Sequence, residues 1–87
     1  MKYTAGRRDR GDIEVVFEPK EDGNGITVEL TTSVKRLYGE NIRREITATL
    51  EKLGVENCTI SAFDDGALPY VIQARVEAAV RMSQKKS

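Results

Sequence analysis

Apolar and polar positions alternate twice in the first third of the chain. Ile13, Val15 and Phe17 share one face at a period of two, and so do Ile26, Val28 and Leu30. That spacing is the mark of a half-buried strand. Between the two runs, residues 19–25 contain Pro, Asp, Asn and Gly, which suit turns because Gly and Asn tolerate positive φ and Pro fixes φ. The pattern predicts strands over 13–17 and 26–30, joined as an antiparallel hairpin.

The period then changes. Tyr38, Ile42, Ile46, Leu50 and Leu53 recur every three or four residues, giving a helix one apolar stripe. A hydroxyl among Thr31, Thr32 and Ser33 is placed to cap its start, and Gly54 to end it. Residues 57–63 return to alternation, with Cys58, Ile60 and Ala62 on one face. After Asp64-Asp65-Gly66, a second helical stripe runs through Leu68, Ile72, Val76 and Ala79. Pro69 suits the first turn of that helix, where a missing N–H costs nothing.

The predicted order is β-β-α-β-α. A two-layer α+β fold, with a three-stranded sheet and both helices on one face, buries every stripe at once. Residues 1–12 read as an exposed, flexible arm, 13–82 as one domain, and 83–87 as a polar tail.

Composition narrows the function classes. The chain has 87 residues, with 14 Lys plus Arg against 14 Asp plus Glu. One small domain with balanced charge offers no field to gather nucleic acid or an anionic membrane. No apolar run reaches membrane-spanning length, and no apolar leader follows Met1. One cysteine, Cys58, rules out an internal disulfide. A cytoplasmic setting is expected.

Chemistry is sparse. There is no histidine, which removes the commonest general base and metal ligand. Cys58 sits on an apolar strand face, where a thiol is usually a small buried hydrophobe. Asp64 and Asp65 read as a turn at a positive helix end. Glu21 to Gly25 lacks the ligand spacing of a calcium loop. Arg7, Arg8 and Arg10 are suited to forked bonds with phosphate. Lys35 and Arg36 stand at a predicted helix start, where the dipole disfavours positive charge and an anionic partner would offset it. No nucleophile–base pair or metal set is present, so the chain reads as a binding module and not an enzyme.

Several segments go further. Ala5-Gly6, Gly11-Asp12-Ile13, Tyr38-Gly39, Asp65-Gly66-Ala67-Leu68 and Ala74-Arg75-Val76-Glu77-Ala78-Ala79 together resemble the citrate lyase acyl carrier (gamma) subunit family, over residues 3 to 82. The malonate decarboxylase acyl carrier subunit is the nearest rival, similar from Gly11 to Pro19. This resemblance implies a subunit unlike the all-helical fatty-acid carriers. It implies a phosphoribosyl-dephospho-CoA group joined by a phosphodiester to a serine hydroxyl, with its thiol holding the acyl group. The implied partners are transferase and lyase subunits and a prosthetic-group transferase.

The family's modified serine directly precedes the Gly-Asp pair. Arg10 holds that position here, beside Gly11 and Asp12. A guanidinium has donors only and no oxygen to esterify. Residues 5–26 contain no Ser, Thr or Tyr, and Thr4 lies just outside. Three explanations stay open: a homologue that kept only a structural role, a variant in which serine was replaced, or a match in fold without function.

Overall fold

The structure, a computed structural model, describes residues 1–33 and 36–85. Its elements are β1 (Tyr3–Ala5), β2 (Ile13–Pro19), β3 (Ile26–Thr32), α1 (Arg36–Lys52), β4 (Cys58–Asp64) and α2 (Pro69–Gln84). The fold is α+β, with a four-stranded sheet in the order β1-β2-β4-β3.

Two expectations are corrected. The sheet has four strands and not three, because Tyr3–Ala5, within the segment read as an arm, pairs antiparallel with β2. The predicted hairpin does not form, because β4 lies between β2 and β3. It is antiparallel to β2 and parallel to β3.

The insertion of β4 has a physical basis. Its inward side chains Cys58, Ile60, Ala62 and Asp64 are all buried, while β3 is at best half-buried along its length. The most enclosed strand takes the middle, and the most exposed one takes the edge. Crossing one intervening strand adds about 5 Å of span, well within reach of residues 20–25. Asn57 ties the three strands at this end. Its carbonyl accepts from the Lys20 N–H at 3.1 Å, and its side chain accepts from the Gly25 N–H at 2.8 Å.

The register puts one parity of residues on one face. Ile13, Val15 and Phe17 align with Asp64, Ala62 and Ile60, and Ile26, Val28 and Leu30 align with Cys58, Ile60 and Ala62. Ile42, Ile46 and Leu50 of α1 and Ile72, Val76, Ala79 and Val80 of α2 join them in one buried core. Both helices therefore cover the same sheet face. The other face carries Glu14, Val16, Glu18, Thr27, Glu29, Thr31, Thr59, Ser61 and Phe63. No helix among the described residues is long and apolar enough to cross a membrane.

Two stripe residues point outward: Tyr38 is 54% and Leu68 57% exposed. Both stand at helix starts, past the edge of the packed core. Gly39 lies inside α1 with no break in the helix. Past Lys52 the chain turns off through a bond from the Val55 N–H to the Leu50 carbonyl at 3.0 Å.

Candidate functional site

Residues 6–12 leave β1 and return to β2 at the end of the sheet where β4 hands over to α2. The Asp12 N–H donates to the Asp9 carbonyl at 2.9 Å, closing a tight turn with Arg10 and Gly11 at its centre. Gly11 has φ +79° and open space around it. A type II turn needs that backbone at its third position, which is why glycine suits it. The side chain at position 10 stands at the exposed apex.

The turn is fastened to β4. The Gly11 N–H donates to the Asp65 carbonyl at 2.6 Å, and the Asp65 N–H donates to the Asp12 carbonyl at 3.0 Å. These bonds carry the β2–β4 ladder one step beyond the Ile13–Asp64 pair.

The Asp12 carboxylate gathers the loop. Oδ1 accepts from the Ile13 N–H at 2.7 Å and from Arg75 Nε at 3.0 Å, while Oδ2 accepts from Arg75 Nη2 at 2.9 Å. The Arg75 fork, more than any other contact, holds the Asp12 carboxyl below its usual range. Asp12 in turn raises the pKa of Arg75.

The three arginines of the loop have different surroundings. Arg8 folds back over the outer sheet face. Its guanidinium lies 3.6 Å from the Phe63 ring centre, a cation–π arrangement, and Nε donates to Glu14 at 3.0 Å. The Arg7 and Arg10 guanidinium groups make no ion pair among the described residues.

Asp64 knits the neighbouring strand ends. It is 5% exposed, and its carboxylate accepts from the Thr32 hydroxyl at 2.9 Å and the Gly66 and Ala67 N–H groups at 3.2 and 3.0 Å. The Ser33 hydroxyl donates to Asp65 at 2.7 Å. Two of the three hydroxyls considered for capping α1, those of Thr32 and Ser33, thus meet these two aspartates. Residues 34 and 35, including Lys35 with its expected charge at the helix start, lie outside the described residues, and Arg36 opens α1. Beside this junction a groove of about 390 Å³ runs between the two helix starts, over Ile42, Ala67, Pro69 and Ile72, with Tyr38 and Asp64 at its margin.

The other candidates stay structural. Burial pushes the Cys58 thiol up. No group of three or more His, Cys, Asp or Glu is arranged to hold a metal among the described residues. Asn24 closes its own turn through a bond to the Glu21 carbonyl at 2.8 Å.

The sequence has matches among known proteins. A family model described as "ACP: Malonate decarboxylase delta subunit (MdcD)" fits residues 1–83. The chain belongs to this acyl carrier family. Within it, the citrate lyase acyl carrier protein of Streptococcus equi subsp. equi (strain 4047) is 47% identical over 76 residues, covering 87% of this chain and 74% of that protein. The citrate lyase acyl carrier protein of Lacticaseibacillus casei (strain BL23) is 42% identical over 85 residues, covering 97% of this chain and 82% of the relative. Acyl carrier proteins are non-catalytic, so membership makes the chain a carrier-type protein and not an enzyme.

Among the solved structures of similar fold are two of different kinds. One is a chain in the crystal structure of a Pseudomonas malonate decarboxylase hetero-tetramer in complex with malonate. It has a TM-score of 0.75 and 23% identity, covering 93% of this chain and 81% of that one. The other is the Staphylococcus aureus RNase P protein, with a TM-score of 0.58 and 11% identity, covering 95% of this chain and 82% of that one. At these identities the likeness is one of fold alone.

Arg10, Gly11 and Asp12, singled out in the sequence, form one turn. Gly6, Asp65 and Arg75 complete it, and nothing local in the sequence assigned them that role. All three lie inside the family-like segments, but no spacing rule links residue 75 to residue 12.

Proposed function

We propose that this chain fills the acyl carrier place of a citrate lyase-like complex. It would meet a transferase and a lyase subunit through the sheet end that bears the Arg10 turn. Supporting the citrate system over the malonate one are relatives at 40–47% identity that are named citrate lyase acyl carrier proteins. The observation that carries the reading is the turn itself. The position matching the family's modified serine is the exposed apex of a loop tied to β4 and α2.

The expected prosthetic group does not fit that apex. Attaching phosphoribosyl-dephospho-CoA through a phosphodiester needs a hydroxyl, and Arg10 supplies only N–H donors. No other residue of the loop 6–12 has a hydroxyl. Thr4, the nearest along the chain, sits in β1 opposite Val16. No acyl-transfer step is therefore assigned to this chain.

The missing oxygen favours a second reading for the chain as it stands: a non-carrying scaffold or regulatory subunit that docks the lyase subunits. The two readings share the docking role and differ only in side-chain chemistry at position 10. Co-expression with the transferase and lyase chains of a citrate lyase tests the docking role. The chain is expected to co-elute with them and to compete with the resident carrier. A chain that stays monomeric beside an assembled complex overturns it.

A further inference from the structure

We infer that Arg75 is a positioning residue: its fork on Asp12, with its stem lying beside Gly6, makes the Arg10 turn a fixed presenter and not a swinging arm. This rests on the carrier-type reading above and adds how the polypeptide meets its partners.

Three observations converge. First, Arg75 reaches from the middle of α2 and holds both Asp12 oxygens, at 3.0 and 2.9 Å. A planar fork on a carboxylate fixes orientation as well as distance. Second, Arg75 also closes over the start of the loop. A Cβ on Gly6 would stand 3.1 Å from Arg75 Cδ and 1.9 Å from the Ile13 carbonyl oxygen. One side chain thus lies beside the place where the chain leaves β1 and is bonded to the residue just before β2. Third, Asp12 also accepts from the Ile13 N–H, its own N–H closes the turn on the Asp9 carbonyl, and Gly11 is held by Asp65. Residue 10 is left at the apex with both flanks anchored.

The Arg75 side chain is 41% exposed and that of Asp12 15%, so the pair lies at the rim of the core and not within it. Loss of the fork should free the turn while leaving the sheet and helices in place. On this account the side chain at position 10, Arg10 here or a serine put in its place, is presented from a fixed point.

Backbone ¹⁵N relaxation on the isolated chain tests this without any partner, so its failure is separate from failure of complex assembly. In the unaltered chain, order parameters at residues 7–12 should match those of β2, near about 0.85. Arg75→Gln should lower them below about 0.6 at residues 7–10 alone, with Gly11 and Asp12 still held by the Asp65 backbone. Arg75→Lys keeps the charge without the fork and should fall between. A loop already mobile in the unaltered chain overturns the inference, and so does a loop unchanged by Arg75→Gln. A variant that fails to fold refutes it too, because the grip would then serve the core and not the turn.

Discussion

A Cβ placed on Gly6 would lie 1.9 Å from the carbonyl oxygen of Ile13. The backbone of the loop passes directly over the start of β2, and only a hydrogen fits between them. Gly6 also has φ +84°, which costs a residue with a side chain roughly 1–2 kcal/mol. Gly6→Ala therefore combines strain with a backbone clash that has no flexible end to yield. Gly11→Ala meets the same strain at φ +79° but no atom within 4 Å. Urea unfolding should show Gly6→Ala clearly more destabilising than Gly11→Ala. Equal losses would contradict the close approach.

Inside α1, Gly39 gives the opposite sign. Among the described residues an added Cβ meets only Leu30 Cδ2 at 4.0 Å, an ordinary contact. Alanine in a helix interior is favoured over glycine by about 1 kcal/mol. Gly39→Ala should raise the thermal midpoint, and a lower midpoint would mean that α1 does not run unbroken through this position.

Ile46 and Ile72 have 0% and 1% exposure and face each other's helices over the sheet. Truncating either to alanine should cost ~2–5 kcal/mol, the usual range for a buried aliphatic side chain. Tyr38 and Leu68, outward at the helix starts, should change stability by no more than about 0.5 kcal/mol when truncated. Chemical denaturation of the four variants separates the two classes, and a Tyr38→Ala loss as large as that of Ile46→Ala would contradict the burial pattern.

Periodicity made the two helices, their buried faces and three strands legible, because each is long enough to repeat its pattern. Strand order was not legible. Alternation in 13–17 and 26–30 is satisfied equally whether those strands touch or flank a third, and only the heavier burial of residues 58–64 decides it. Tyr3–Ala5 is three residues long and shows no repeat. At the site, the turn at Arg10-Gly11-Asp12 could be read from glycine chemistry and family likeness. Its partner Arg75 lies 63 residues away and meets it only once α2 packs over β1 and β2.

Acid should loosen the same region. The Arg75 bonds lower the Asp12 pKa in the folded chain, whereas an unfolded aspartate titrates near about 3.9. Its contribution is fully present above that unfolded value and is lost as pH falls through the lower, folded one. Glu18 beside Lys20 shifts in the same direction. Stability measured from pH 6 down to 2 should fall on the acid side, with a shallower fall in Asp12→Asn. Parallel curves for the two proteins would remove Asp12 from the account.

The most direct measurement is intact mass after incubation with a citrate lyase prosthetic-group transferase and its activated coenzyme derivative. The account predicts no gain for this chain and a single gain, equal to the phosphoribosyl-dephospho-CoA moiety, for Arg10→Ser. A gain on the unaltered chain, or none on Arg10→Ser, would contradict it.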